Sequence, residues 1–143
     1  MAADLLERGH RVAIPIGEDW DFDLVLYRDE KLERVQVKYT RSDGTVICVR
    51  CRSHSLTNGK IRRTKRYTAE SIDWLAVYDA TTERCYYLPS SILGAGRSTI
   101  SLRLQPTLNG QLSKINMASN FVDLDDGASR IRTDDLSDAN RTL

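Results

Sequence analysis

The chain is poor in the residues that most often anchor chemistry or covalent structure: three cysteines and two histidines among 143 residues. Three cysteines cannot all pair within one chain, so a disulfide framework is excluded and a reducing cytoplasm is the expected setting. Cys48 and Cys51 form a Cys-x-x-Cys, but three steps along a strand put them on opposite faces, and no second pair follows to complete a structural zinc site. His10 follows Gly9 at a helix end and His54 lies in a cationic stretch, so neither is set for a Ser-His-Asp triad. Gly94-Ala95-Gly96 lacks the Gly-Lys-Ser/Thr ending of a phosphate loop. No apolar run is long enough to span a bilayer, and the first residues have neither the basic start nor the apolar stretch of a signal peptide. No membrane partner is expected. Internal repeats and low-complexity blocks are also missing.

What is present suits a single globular domain. Hydrophobic residues make up 41% of the chain, ample for a modest core at this length. The net charge of +1 conceals a segregation. Arg50, Arg52, Lys60, Arg62, Arg63, Lys65 and Arg66 fall in a stretch with no Asp or Glu between Gly44 and Ala69, while acids gather from Asp123 to Asp138. Phosphate contacts supply most nonspecific affinity for DNA through counterion release, so the seven cations are candidate DNA-binding residues. A solvated loop is the plainer reading of such a run.

Alternation and turn residues predict a short helix to Arg8, then strands over 11–16, 22–27, 32–40 and 45–51. Asn58-Gly59 marks a turn, so 52–66 reads as a loop or hairpin tip carrying the cations at its end. A helical turn over 67–71 precedes strands over 73–78 and 85–88, joined by a turn around 80–83. Pro89 opens a short helix to Leu93, and 98–104 is a last strand. The expected organisation is one folded domain over 1–104, a C-terminal helix within 105–122 (specifically 111–121), and a disordered acidic tail over 123–143.

One constellation carries chemistry. In Val35-Gln36-Val37-Lys38 the pleat turns Gln36 and Lys38 to one face and the valines to the other. If the strand near Phe22 pairs alongside, Asp23 at its start reaches the end that holds Gln36 and Lys38. Mg²⁺ prefers oxygen ligands and usually takes one or two protein carboxylates. Asp23, the Gln36 amide oxygen and the Val37 carbonyl are therefore candidate metal ligands, and Lys38 is placed to orient the attacking water and offset charge on a phosphate. Glu18 and Asp19 are loop acids that offer a second metal position only as a lesser alternative. Trp74 and Tyr78 share a strand face and are expected in the core.

The runs Val12-Ala13-Ile14-Pro15-Ile16-Gly17, Phe22-Asp23-Leu24-Val25 and Arg34-Val35-Gln36-Val37-Lys38, followed by Tyr67 and Ile72-Asp73-Trp74, resemble the PD-(D/E)xK endonucleases associated with group I introns. The resemblance runs from about Asp4 to Leu93. It implies an α/β restriction-endonuclease-like fold with a mixed central sheet and short flanking helices, Mg²⁺ as cofactor, and homing-endonuclease-like cleavage of double-stranded DNA by Asp23, Gln36 and Lys38. Gln36 stands where most of the wider superfamily has Asp or Glu, which removes one charge from the metal site. The resemblance also implies a Glu on the first helix, which would lie before Met1. The expectation is a helix truncated at its N-terminus and an impaired nuclease, with Glu7 or Asp4 as weak substitutes. A catalytically impaired DNA-binding remnant and a junction resolvase on the same fold are the alternatives. Cutting both strands needs two active centres, so a homodimer or higher homo-oligomer is expected.

Overall fold

The computed structural model describes residues 1–57, 60–111 and 113–125, with the side chains of 55–63 outside that description. The predicted Asn58-Gly59 turn and the tail from 126 onward fall outside it. One short helix, α1 (Ala2–Glu7), leads into strands β1 (Arg11–Ala13), β2 (Leu24–Arg28) and β3 (Lys31–Thr40). These are followed by β4 (Val46–Arg50), β5 (Arg52–Thr57), β6 (Lys60–Arg66), β7 (Trp74–Asp79), β8 (Arg84–Pro89) and β9 (Thr99–Arg103).

Five strands form the central sheet in the order β1-β2-β3-β7-β8. It is mixed: β3 and β7 are parallel and every other pairing is antiparallel. The chain between β3 and β7 carries β4, β5 and β6; β4 pairs with β9 to form a second layer over one sheet face, and β5 pairs with β6 as a separate hairpin. A parallel pair needs such a crossover, because a tight turn can only return the chain antiparallel.

Local chemistry sets the strand ends. Gly9, at φ +85°, stops α1, a conformation costly for any residue with a Cβ. β1 ends at Ala13, earlier than the predicted 16, because Pro15 has no N–H to donate and sits just beyond it. β2 and β3 are joined by Asp29 and Glu30, both at positive φ (51° and 61°), as a two-residue type I′ hairpin requires. Without glycine there, the turn carries little sequence signal.

Side-chain alternation divides the core between the two sheet faces. On one face Leu75, Val77, Tyr86 and Leu88 pack against Ile47 and Val49 of β4 and Ile100 and Leu102 of β9. On the other, Val35, Trp74, Ala76 and Tyr87 pack with Leu5 of α1. β7 is buried along nearly its whole length, as expected of a parallel strand covered on both faces. Trp74 joins the core with Tyr78 packed against it.

The end of the chain corrects two expectations. Within 105–122 the described residues form turns and a single 3-10 helix, Ala118–Phe121, rather than a helix over 111–121. The core also continues beyond 104. Ala118 and Phe121 join the first cluster, and Leu124, 4% exposed, joins the second. Arg8 holds Asp123 at 2.6 Å and Arg28 holds Asp125, so the first residues assigned to the acidic tail are docked on the domain. No helix among the described residues is long and apolar enough to cross a membrane.

Candidate metal and nucleic-acid site

β3 is twice as long as β2 and changes partners along its length. Lys31 to Val35 pair with β2, while Val35 to Thr40 pair with β7. The last backbone bond on the β2 side runs from Asp23 N to Val35 O, at 2.9 Å. N–H and C=O of alternate strand residues point the same way, so those of Val37 face the space beyond the end of β2.

That space is filled by side chains. Val37 N donates to Asp23 Oδ2 at 2.9 Å, and Gln36 Nε2 donates to the same oxygen at 2.6 Å and to Val37 O at 3.2 Å. Asp23 is exposed, whereas Gln36 is only 7% exposed. A carboxylate, an amide and a carbonyl thus converge, with no thiol or imidazole among them. This hard oxygen set suits a cation such as Mg²⁺ or Ca²⁺ better than a thiophilic metal. An amide presents its oxygen in place of its nitrogen after a half-turn of the terminal group, so Gln36 can switch from donor to ligand. No group of three or more His, Cys, Asp or Glu suited to a metal occurs among the described residues, so a site here relies on these neutral oxygens.

Lys38, two residues on, shares the face of Gln36. Its Nζ lies 3.3 Å from the Tyr67 hydroxyl, 3.5 Å from the Arg52 carbonyl and 4.8 Å from the centre of the Tyr67 ring. The structure therefore joins Asp23, Gln36 and Val37 directly and sets Lys38 on the same side of β3.

Lys38 also borders a cleft of about 580 Å³ shared with Arg50, Arg52, Ser53 and His54. The expectation of cations at a hairpin tip is corrected for four of the seven: Arg50, Arg52, Lys65 and Arg66 sit at the base of the β5-β6 hairpin, and of these Arg50 and Arg52 line this cleft. Arg52 and Arg66 are directly opposite across the hairpin, an arrangement that like charges disfavour and an anion relieves. Lys65 is held by Asp21, and Arg66 Nη1 reaches Gly96 O at 3.4 Å. The side chains of Lys60, Arg62 and Arg63 are outside the described set. His54 Nδ1 is 3.0 Å from Thr64 Oγ1. Glu18 and Asp19 line a cleft of about 360 Å³ with Asp21, Arg34, Lys65 and Glu70. Cys48 is exposed and Cys51 is buried, on opposite sides as the pleat predicts.

Asp4 does not stand in for the expected first-helix Glu. It accepts from Arg8 Nε at 2.9 Å and from the Tyr87 hydroxyl, on the sheet face opposite Gln36. Burial, reinforced by that bond to Asp4, pushes the Tyr87 phenol well above its ordinary pKa. Glu7 is exposed on α1.

Two acids prove to be structural. Asp73 Oδ2 accepts from Arg34 N at 2.7 Å and Arg34 Nε at 3.0 Å, while Asp73 N donates to Arg34 O at 2.9 Å. This clamp fixes β3 against the entry to β7 just before Gln36. Burial raises the Asp73 carboxyl, but the Arg34 hydrogen bonds outweigh it and hold the group below the usual range. Asp79, 0% exposed, gathers Ser42 N at 2.7 Å, Ser42 Oγ at 2.8 Å and Thr82 Oγ1 at 2.9 Å. The Arg34–Asp73 and Ser42–Asp79 partnerships span 37 or more residues, so no local pattern announces them, whereas Thr82 lies only three residues from Asp79.

Comparison with known proteins gives two findings. A family model described as PD-(D/E)XK endonuclease matches residues 1–124. The solved structure of a bacterial homing endonuclease is similar at a TM-score of 0.61 and 23% identity, over 84% of this chain and 79% of that one. Among curated proteins there is no match. The mixed sheet with few short helices is a restriction-endonuclease-like fold.

Proposed function

Because the chain belongs to the PD-(D/E)XK endonuclease family, we propose that it is a Mg²⁺-dependent, homing-endonuclease-like enzyme that hydrolyses phosphodiester bonds of double-stranded DNA. Nucleases of this family typically use divalent ions. The observation that carries the proposal is the contact of Gln36 with Asp23 at 2.6 Å beside the Val37 carbonyl, where β2 ends and β3 continues.

Asp23, the Gln36 amide oxygen and the Val37 carbonyl would hold Mg²⁺. The chemistry a bound Mg²⁺ supplies is Lewis-acid stabilisation of charge on the scissile phosphate. Lys38 presents its ammonium from the adjacent position on the same face, donating hydrogen bonds to the phosphate oxygens and to the water that attacks in line. Arg50 and Arg52, exposed on the neighbouring cleft, take the flanking phosphates. The same role is assigned to Lys60, Arg62, Arg63, Lys65 and Arg66 by charge, with Lys65 first released from Asp21. A two-stranded ribbon such as β5-β6 has the dimensions to enter a DNA groove. Two active centres are required to cut both strands, so the active form is assigned as a homodimer or higher homo-oligomer.

Plasmid cleavage in Mg²⁺ against EDTA tests the reaction. Lys38→Ala is expected to bind DNA as wild type does and to lose cleavage. Cleavage that survives that substitution removes Lys38 from the chemistry, and binding by wild type with no Mg²⁺-dependent nicking reduces the protein to a DNA-binding role.

A further inference from the structure

We propose that Tyr67 is a positioning residue for the reaction, a clamp that fixes the Lys38 ammonium where it meets the phosphate. The assignment rests on the nuclease reading of Lys38 given above, but its geometry stands apart from it. A lysine head on a four-carbon stem is mobile, and an ammonium that must meet one oxygen gains from being held before substrate arrives.

Tyr67 has two features suited to that task. Its hydroxyl oxygen accepts from Lys38 Nζ at 3.3 Å, and its ring faces the same nitrogen at 4.8 Å from the centroid. The ring quadrupole and the oxygen lone pair both favour a positive charge at that point. The Arg52 carbonyl, 3.5 Å from Nζ, adds a third restraint.

The tyrosine is itself rigid. It is 3% exposed, packed in the core layer between the sheet and the β4-β9 ribbon. Its backbone N donates to Cys51 O at 3.1 Å, just where the chain leaves β6. Cys51 and Arg52 begin the hairpin and Tyr67 follows its end, so the clamp straddles the base of the cationic arm. Displacement of that arm by DNA would be felt at Lys38 through Tyr67 and the Arg52 carbonyl. Arg50 and Arg52 bind phosphate in this scheme, whereas Tyr67 acts only through lysine.

Tyr67→Phe keeps the ring and its packing while deleting the oxygen. The expected result is a single-turnover cleavage rate in Mg²⁺ lower by roughly tenfold to a hundredfold, the scale of a misplaced reacting group, with DNA affinity in Ca²⁺ and Tm unchanged. An unchanged rate overturns the proposal, as does a loss matched by falls in affinity and Tm, which would mark a structural tyrosine. A second measurement needs no activity: NMR relaxation of the Lys38 Cε methylene, with exposed Lys31 as reference. Lys38 is expected to be the more ordered of the two in wild type and to loosen in Tyr67→Phe. Equal mobility in wild type discards the clamp. If wild type fails to cut DNA in Mg²⁺ while Lys38 is ordered by Tyr67, the nuclease reading falls and the contact stands.

Discussion

Asp23 Oδ2 receives two hydrogen bonds from the strand beside it, Gln36 Nε2 at 2.6 Å and Val37 N at 2.9 Å, although Asp23 and Gln36 lie 13 positions apart. The backbone donor fixes the carboxylate, and the amide neighbour leaves the pair with one negative charge. An acid in place of Gln36 would face Asp23 across the same short gap.

Gln36→Glu is therefore expected to make stability depend on metal. Without a cation, two carboxylates at that distance repel, and one is driven toward its protonated form. Loss of the amide donor and the added repulsion cost about 1–3 kcal/mol. Thermal unfolding should show a Tm lower than wild type in EDTA and a larger rise on adding Mg²⁺. An identical Mg²⁺ response in the two proteins counts against a metal at this position.

Arg50 and Arg52 flank the Lys38 cleft as exposed cations. Replacing Arg52 with Ala should weaken DNA binding and flatten the dependence of log K on log salt by about one unit, the release of counterions from one phosphate. The double change with Arg50→Ala should flatten it by about two. A salt slope unaltered in both variants places the DNA elsewhere.

Asp79 links folding to pH. Its burial raises the carboxyl pKa, but hydrogen bonds from Ser42 and Thr82 outweigh that and leave it below the ordinary 3.8. The unfolded chain consequently binds the proton more readily than the folded one. The stabilisation is fully present above the unfolded value and is lost as pH falls through the lower folded value. Urea unfolding between pH 5 and pH 2 should show a steeper acid loss in wild type than in Asp79→Asn. At pH 5, Asp79→Ala should cost about 1–3 kcal/mol, since it strips the half-buried donors of Ser42 and Thr82 of their partner. Parallel pH curves for wild type and Asp79→Asn would contradict the assignment.

The thiols differ in access. Burial pushes Cys51 up to about 11 and raises Cys85 as well, while Cys48 is exposed. A disulfide reagent at pH 8 is expected to titrate one cysteine quickly in the native protein and the other two only after unfolding. Rapid reaction of two or more would mean that the β4 layer opens readily.

The pleat made the Gln36 and Lys38 pairing legible, because period-two alternation is a local property of the chain. Strands β3, β7 and β8 were legible for the same reason, being apolar runs with recognisable ends. The Asp29-Glu30 hairpin was harder, because its residues adopt left-handed angles without the glycine or asparagine that normally advertises them. The segment over 111–121 misled because a spacing compatible with a helix was instead held by tertiary contacts, with Ala118 and Phe121 inserted into the core.

The amino-acid order by itself determined which side chains share a strand face, that Gly9 ends the first helix, and that positive charge gathers around the β5-β6 hairpin. Only the tertiary structure decided that Asp73 is taken by Arg34, that Tyr67 grips Lys38, and that Arg52, Lys65 and Arg66 stand at the base of the hairpin. Alternation and backbone preference act over a few residues. The contacts of Asp73 with Arg34 and of Tyr67 with Lys38 instead depend on the crossover that leads from β3 to β7, a pairing whose partners lie 39 positions apart in the chain.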